Sequence, residues 1–193
     1  MFNQTDFEER CVTKSALTQA RKFLSYKAFS EMSDHFIDQF YQETKSKRWR
    51  GHRLCAVDGS TLRLPNSEEI AKHFGGMKYG EGLIPLARLS SCYDVMNGLT
   101  LDVQVSPYSC SERDLAAMHL IKSKPKDLLI YDRGDPGFFF FALHRQYERD
   151  FCMRMPRSFG EEVDDFFNST CNDKIITISS SKPGEKQCKK FSF

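Results

Sequence analysis

Two short apolar runs, each broken off by an aspartate, punctuate the hydrophobic pattern of the chain: Leu54-Cys55-Ala56-Val57 before Asp58-Gly59, and Leu128-Leu129-Ile130-Tyr131 before Asp132-Arg133-Gly134. Apolar runs of this length, bounded by turn-type residues, read as buried strands, with Leu54 and Val57 inside a sheet and Asp58 where its strand meets solvent. Ahead of them, Leu17, Ala20 and Leu24, then Phe29, Met32, Phe36 and Phe40, recur at helical spacing. That spacing predicts a helical arm over 14–43, bent at Ser25, which caps its second half. Residues 66–72 read as a short helix or turn, and the glycines from Gly75 to Gly82 as a flexible loop.

Two strands are predicted at 85–94 and 99–105, joined through Asn97-Gly98 as an antiparallel hairpin, with Leu99, Leu101, Val103 and Val105 on one face. Ser111 is placed to cap a helix that turns Leu115, Met118 and Leu120 or Ile121 inward and stops at Pro125. After Asp132, Asp135 as cap and Pro136 at the first helical position open a Phe-rich helix holding Phe138 to Phe141, Leu143 and Tyr147. A strand follows at 151–155; beyond Pro156, Val163, Phe166 and Phe167 suggest a short helix and 175–178 a strand. Strand, hairpin, helix, strand, helix, strand is the order of a ribonuclease-H-like α/β fold, a mixed sheet flanked by helices. In that fold the first strand and the one ending in Asp132 are neighbours.

Composition adds limits more than direction. The 193 residues suffice for one sizeable core, and 40% hydrophobic with 28% charged residues describes a globular chain. No apolar run approaches the ~20 residues of a membrane span, and the first residues lack a secretory layout. Seven Cys without a Cys-x-x-Cys pair argue against a zinc ribbon and a disulfide framework, and for a reducing intracellular compartment. A net charge of +2 decides nothing by itself, so local clusters matter. The stretch from Lys45 to Arg53 is one, with Trp49 inside it; Lys47, Arg48 and Arg50 are candidates for phosphate contacts, against the alternative of a solvated connector.

Asp58 and Asp132, brought side by side by such a sheet, would repel each other, and a bound Mg²⁺ or Mn²⁺ removes that cost. Hard oxygen ligands that leave positions for water and phosphate suit in-line attack on a phosphodiester. The other titratable residues look structural: Glu112 favours the positive end of its helix, and His119 and His144 fall on helices without metal-ligand spacing. Arg133 can orient Asp132 or touch a phosphate.

Three blocks, Ala56-Val57-Asp58-Gly59-Ser60-Thr61-Leu62-Arg63-Leu64-Pro65, Ser111-Glu112-Arg113-Asp114-Leu115-Ala116 and Ile130-Tyr131-Asp132-Arg133-Gly134, together resemble DDE transposases of the insertion-sequence-four (IS-four) family. The resemblance implies a catalytic core that cuts and joins double-stranded DNA at the ends of a mobile element. With it come a two-metal site of Mg²⁺ or Mn²⁺, a homodimer on DNA as the compatible assembly, no membrane, and a bacterial-type cytoplasm close to the nucleoid. Asp58 and Asp132 match two members of the family's carboxylate triad. The third, a Glu within Tyr-x2-Arg-x3-Glu-x6-Lys beyond an inserted β-rich region, has no counterpart in this sequence, and Asp135 stands where the family carries an aromatic residue. The implied organisation is a helical arm and basic connector over 1–50, the first part of the core over 51–157, and the start of the inserted region over 158–193. The implied function is a truncated, inactive transposase copy. Two other readings stand beside it: a nuclease of the same fold whose third carboxylate is Glu161 or Glu162, and a non-catalytic chain that binds DNA.

Overall fold

The computed structural model describes residues 13–132 and 136–178, in two compact units that divide between Lys45 and Ser46. The first unit is helical: α1 (Lys14–Arg21) and α2 (Tyr26–Glu43). The predicted bend is present, since the Ser25 side chain accepts from the Lys27 N–H at the start of α2.

The second unit is built on six strands, β1 (Arg53–Arg63), β2 (Gly76–Tyr79), β3 (Gly82–Asp94), β4 (Leu99–Pro107), β5 (Asp127–Tyr131) and β6 (Asp150–Met153). The sheet runs β2-β3-β1-β5-β6, with β4 also paired to β3. The pairs β1–β3 and β3–β4 are antiparallel, whereas β1–β5 and β5–β6 are parallel. This is the ribonuclease-H-like arrangement, reached by crossing over through α4 (Glu112–Lys122) and α5 (Phe138–Gln146). Both helices pack on one face, where Ala116 and Leu120 of α4 and Phe140 of α5 meet Cys55, Val57, Cys92, Leu129 and Tyr131. Burying each large apolar side chain there contributes roughly 1.5–3 kcal/mol. The hydrogen bond with the neighbouring Cys92 side chain, together with burial, pushes the Cys55 thiol far up, so it stays protonated.

One ion pair sits at the base of the parallel pairing. Arg53 and Asp127 are register partners of β1 and β5, both nearly fully buried. They are joined by two hydrogen bonds, Nε to Oδ1 at 2.8 Å and Nη2 to Oδ2 at 2.7 Å. The last residue of the basic run is therefore a structural group rather than a surface cation.

Several local expectations change. The glycines of 75–82 form the β2–β3 hairpin and not a loose loop, so Asp132 follows the fifth strand rather than the fourth. Between residues 66 and 74 the helix is α3 (Glu68–Phe74), capped by Ser67. The regular alternation of β4 fails because Leu101 is bulged: Cys92 pairs with Asp102 and Tyr93 with Thr100. Past the bulge the faces swap, leaving Val103 and Val105 half exposed and turning Asp102 and Gln104 toward α4. Helix α4 buries Leu115, Ala116, His119 and Leu120, while Met118 and Ile121 are exposed, because its sheet-facing stripe is one step round from the predicted one. Helix α5 begins at Phe138 with Gly137 as its N-cap, so Pro136 precedes the helix; its carbonyl accepts from Arg113. Asp135 lies outside the described residues. Helix α6 (Glu161–Asn168) forms as predicted after a 3-10 turn at Arg157–Phe159. Residues 175–178 are not a strand; no strand among the described residues pairs with them, and Ile175 is almost fully exposed.

Two tests follow from this architecture. Arg53→Ala should cost about 3–5 kcal/mol in chemical denaturation, because it strands a buried carboxylate. Arg53→Met combined with Asp127→Leu should recover most of that loss. An Arg53→Ala loss below about 1 kcal/mol would show that the pair does not hold the sheet.

The second concerns His144, buried on α5 between the Tyr131 hydroxyl at 3.1 Å and the Arg149 carbonyl at 3.3 Å. Burial holds its pKa down at about 4, against 6.5 for the free side chain. Between those values the unfolded chain binds the proton and the folded chain does not, so stability falls as pH drops through that window, by up to about 3 kcal/mol. The Asp102 carboxylate, also held low in the fold, acts only below its own ordinary value near 4. Urea midpoints measured from pH 7 to 4.5 should therefore decline in the native chain and flatten in His144→Gln; an unchanged decline in the variant would contradict this assignment.

Candidate functional site

The site is set by register. Ala56 of β1 pairs with Ile130 of β5; Asp58 stands two residues further along β1, and Asp132 immediately follows the end of β5. Both are exposed, and both line one cleft of about 100 Å³ with Val57, Gly59, Ser90, Glu112 and Ala116. The parallel pairing of β1 with β5 thus carries two carboxylates far apart in sequence to one cleft. The Asp58 Oδ1 accepts from the Gly59 N–H at 2.9 Å. Asp132 has a long contact, 3.8 Å, to Arg154 Nη1, both side chains well exposed. Such a pair is worth little in water and leaves the carboxylate available.

Strand β1 does not stop at Asp58 but continues to Arg63. Asp58-Gly59 is thus mid-strand rather than a turn, and the glycine has a different use: a Cβ on Gly59 would meet Glu112 Cγ at 3.2 Å. Glu112 lies across the strand there because Arg88 Nη1 of β3 donates to its Oε1 at 3.1 Å. The same guanidinium reaches Thr61 Oγ1 at 3.4 Å and sits over the Tyr108 ring at 4.8 Å. Next on α4, Arg113 donates from Nη2 to the Pro136 carbonyl at 3.2 Å and packs against Gly137, holding the chain that follows Asp132. Both Glu112 and Arg113 sit at the start of α4, positioned by the Ser111 cap, whose hydroxyl accepts from the Asp114 N–H.

Two hard-oxygen carboxylates side by side in an open cleft fit a divalent cation of the Mg²⁺ class, with most coordination positions left to water and phosphate. Asp58 and Asp132 would hold it. No group of three or more candidate metal ligands is assembled among the described residues. Glu112 is the further carboxylate of the cleft, and it is committed to Arg88.

The remaining candidates lie elsewhere or outside the described part. Lys47, Arg48 and Arg50 precede β1, at the end of the sheet opposite Asp58; from Arg53 to Asp58 alone the strand rises about 17 Å. Their segment is fixed to the β3–β4 turn, where Asn97 accepts from the Lys47 N–H at 2.8 Å and donates to the Lys47 carbonyl at 3.1 Å. Buried Asp94 shapes that turn, and Arg50 rests on the Trp49 ring. Arg133 lies outside the described residues. Glu161 and Glu162 are on α6 and do not line the cleft. Sequence reasoning placed Glu112 correctly on its helix but not in the cleft, and it passed over Ser90, which is buried there with His119 behind it. A serine pair, Ser90-Ser91, inside an otherwise apolar strand was the available signal.

The family model described as "Transposase DDE domain" matches residues 49–190, well over half of the chain. Among curated proteins, the putative transposase InsZ of Escherichia coli (strain K12) is 24% identical over 130 residues, covering 63% of this chain and 42% of that protein. The chain thus spans less than half the length of this relative. A simian T-cell lymphotropic virus intasome, solved by cryo-electron microscopy in complex with the PP2A regulatory subunit B56 gamma, aligns over 64% of this chain and 43% of its own, at 15% identity and a TM-score of 0.34. That likeness is too slight to carry any of the argument. No helix among the described residues is long and apolar enough to cross a membrane.

Proposed function

The chain belongs to the transposase DDE domain family, and we propose that it is the front part of a DNA transposase core of the IS-four type, with Asp58 and Asp132 as its metal-binding carboxylates. The observation that carries this reading is that both line one cleft, Asp58 on β1 and Asp132 just past the end of its parallel neighbour β5. The substrate is double-stranded DNA at the ends of an insertion element. The reaction class is phosphodiester hydrolysis followed by strand transfer.

The metal is Mg²⁺ or Mn²⁺; when bound, it supplies an activated nucleophile and a counter-charge for the leaving oxygen. The residues of the chain do the rest. Asp58 and Asp132 would hold the ion in the cleft that both line, and Glu112, restrained by Arg88, narrows that cleft over Gly59. Lys47, Arg48 and Arg50 meet the phosphate backbone away from the reacting bond, across the length of β1, and Arg133 meets it beside Asp132. A homodimer on DNA and a cytoplasmic setting near the nucleoid follow from the same reading. The segment 1–50 serves as arm and connector, 51–157 as core, and 158–193 as the start of an inserted region.

We further infer that the chain by itself is inactive. Two carboxylates are free to take a metal, and the third in the cleft is held by Arg88. The alternative nuclease, with Glu161 or Glu162 as third ligand, is disfavoured because neither lines the cleft.

Purified 193-residue chain should bind double-stranded DNA with an affinity that falls steeply as salt rises. In Mg²⁺ or Mn²⁺ it should cleave no faster than Asp58→Asn. Absence of DNA binding even at low salt would contradict the transposase reading, and metal-dependent cleavage above the Asp58→Asn level would contradict inactivity.

A further inference from the structure

Beneath the cleft runs a buried chain of polar side chains that the carboxylate pair does not account for. His119 of α4, with its side chain entirely inaccessible, faces two strands at once. Its Nδ1 is 2.7 Å from Asp102 Oδ2 on β4, and its Nε2 is 3.1 Å from Ser90 Oγ on β3. Ser90, itself nearly fully buried, donates onward from Oγ to the backbone carbonyl of Asp58 at 3.3 Å. At the other end, Asp102 also accepts from Lys122 Nζ at 2.7 Å and Gln104 Nε2 at 2.6 Å. Burial alone would push the Asp102 carboxyl up; the hydrogen bonds from His119, Lys122 and Gln104 outweigh it and hold the group as a carboxylate.

The hydrogens can be counted. The Asp102 carboxylate only accepts, so Nδ1 of His119 carries a hydrogen. Ser90 has one hydroxyl hydrogen, and it is directed at the Asp58 carbonyl. The Ser90 oxygen keeps its lone pairs to face Nε2, so the line runs unbroken from Asp102 through His119 and Ser90 to the Asp58 carbonyl. A buried polar network joined end to end in this way rigidifies its surroundings.

These residue types also form the serine-nucleophile triad of acyl-transfer enzymes. Here the serine is buried and its hydrogen is already engaged by the Asp58 carbonyl, so it is built to hold and not to attack. The backbone that it holds carries the first metal-binding carboxylate. We propose that Ser90, backed by His119 and Asp102, is a positioning residue of this site: it tethers β1 at Asp58 and so fixes the direction in which the Asp58 carboxylate meets a divalent cation. The inference rests on Asp58 being a metal ligand, and deepens that reading by adding the outer support that orients it.

The test is Mn²⁺ binding to the full 193-residue chain, followed by the electron paramagnetic resonance signal of free Mn²⁺, with melting temperatures taken in chelator. Asp58→Asn should abolish binding. Ser90→Ala should weaken it 10- to 100-fold, the usual range for partners that orient a metal ligand, and Ser90→Thr, which keeps the hydroxyl, should restore it. Asp102→Asn, remote from the cleft, should also weaken it. If Asp58→Asn fails to bind while Ser90→Ala and Asp102→Asn bind like the native chain, the tether is refuted and the metal site stands. Equal weakening by Ser90→Ala and Ser90→Thr would also refute it, since the hydroxyl would then be irrelevant. If Asp58→Asn binds as the native chain does, the metal assignment falls and the tether with it. Covalent labelling of Ser90 by a fluorophosphonate would contradict the holding role directly.

Discussion

The parallel pairing of β1 with β5 is the constraint on which everything else depends, and a buried ion pair pins it. Arg53 and Asp127 are partners in the ladder; Asp58 lies five residues further along β1, and Asp132, five residues on from Asp127, just past the end of β5. The guanidinium–carboxylate fork tolerates only one alignment, because both of its hydrogen bonds are made in a dry setting. A slip of one residue would strand both charges and turn one of the two aspartates to the opposite face of the sheet. Placing the carboxylates is thus a by-product of placing Arg53 against Asp127, at a distance of about 17 Å.

Around that axis the antiparallel half of the sheet supplies the walls. Strand β3 carries Arg88, which draws Glu112 over Gly59, and Ser90, which reaches the Asp58 carbonyl. The bulge at Leu101 in β4 is what lets Asp102 stand under His119; without it the position opposite Cys92 would belong to Leu101. An irregularity in an edge strand therefore connects to the best-supported atom of the cleft. Helix α4 joins the two halves: Glu112 and Arg113 act at its start, Ala116 lines the cleft, and His119 completes the buried line.

What could be read directly from the sequence was whatever depended on local pattern. Apolar runs ending at Asp58 and Asp132, the Ser25 and Ser111 caps and the Asn97-Gly98 hairpin each have a short-range cause, and the element order was enough to give the fold. What depended on pairing between strands was hidden. The regular apolar alternation of β4 concealed its bulge, and glycines suited to a loose loop proved suited to a hairpin, where Gly76 has no room for a side chain against the Ile84 carbonyl. Glu112 looked like a helix-dipole residue because nothing local reveals that Arg88 will reach it, and His119 looked like packing because its partners lie on two other strands. The basic run shows the same limit: a cluster in sequence is divided by the fold into a buried structural arginine, Arg53, and a segment remote from the carboxylates.

Diffraction from crystals of the chain soaked in Mn²⁺, with the anomalous signal locating the ion, tests the carboxylate pair most directly. One peak is expected in the cleft, within coordinating distance of both Asp58 and Asp132, at about 2.1 Å as for a small octahedral cation. An ion bound to only one of them, or located outside the cleft, would contradict the claim that the β1–β5 register builds a metal site.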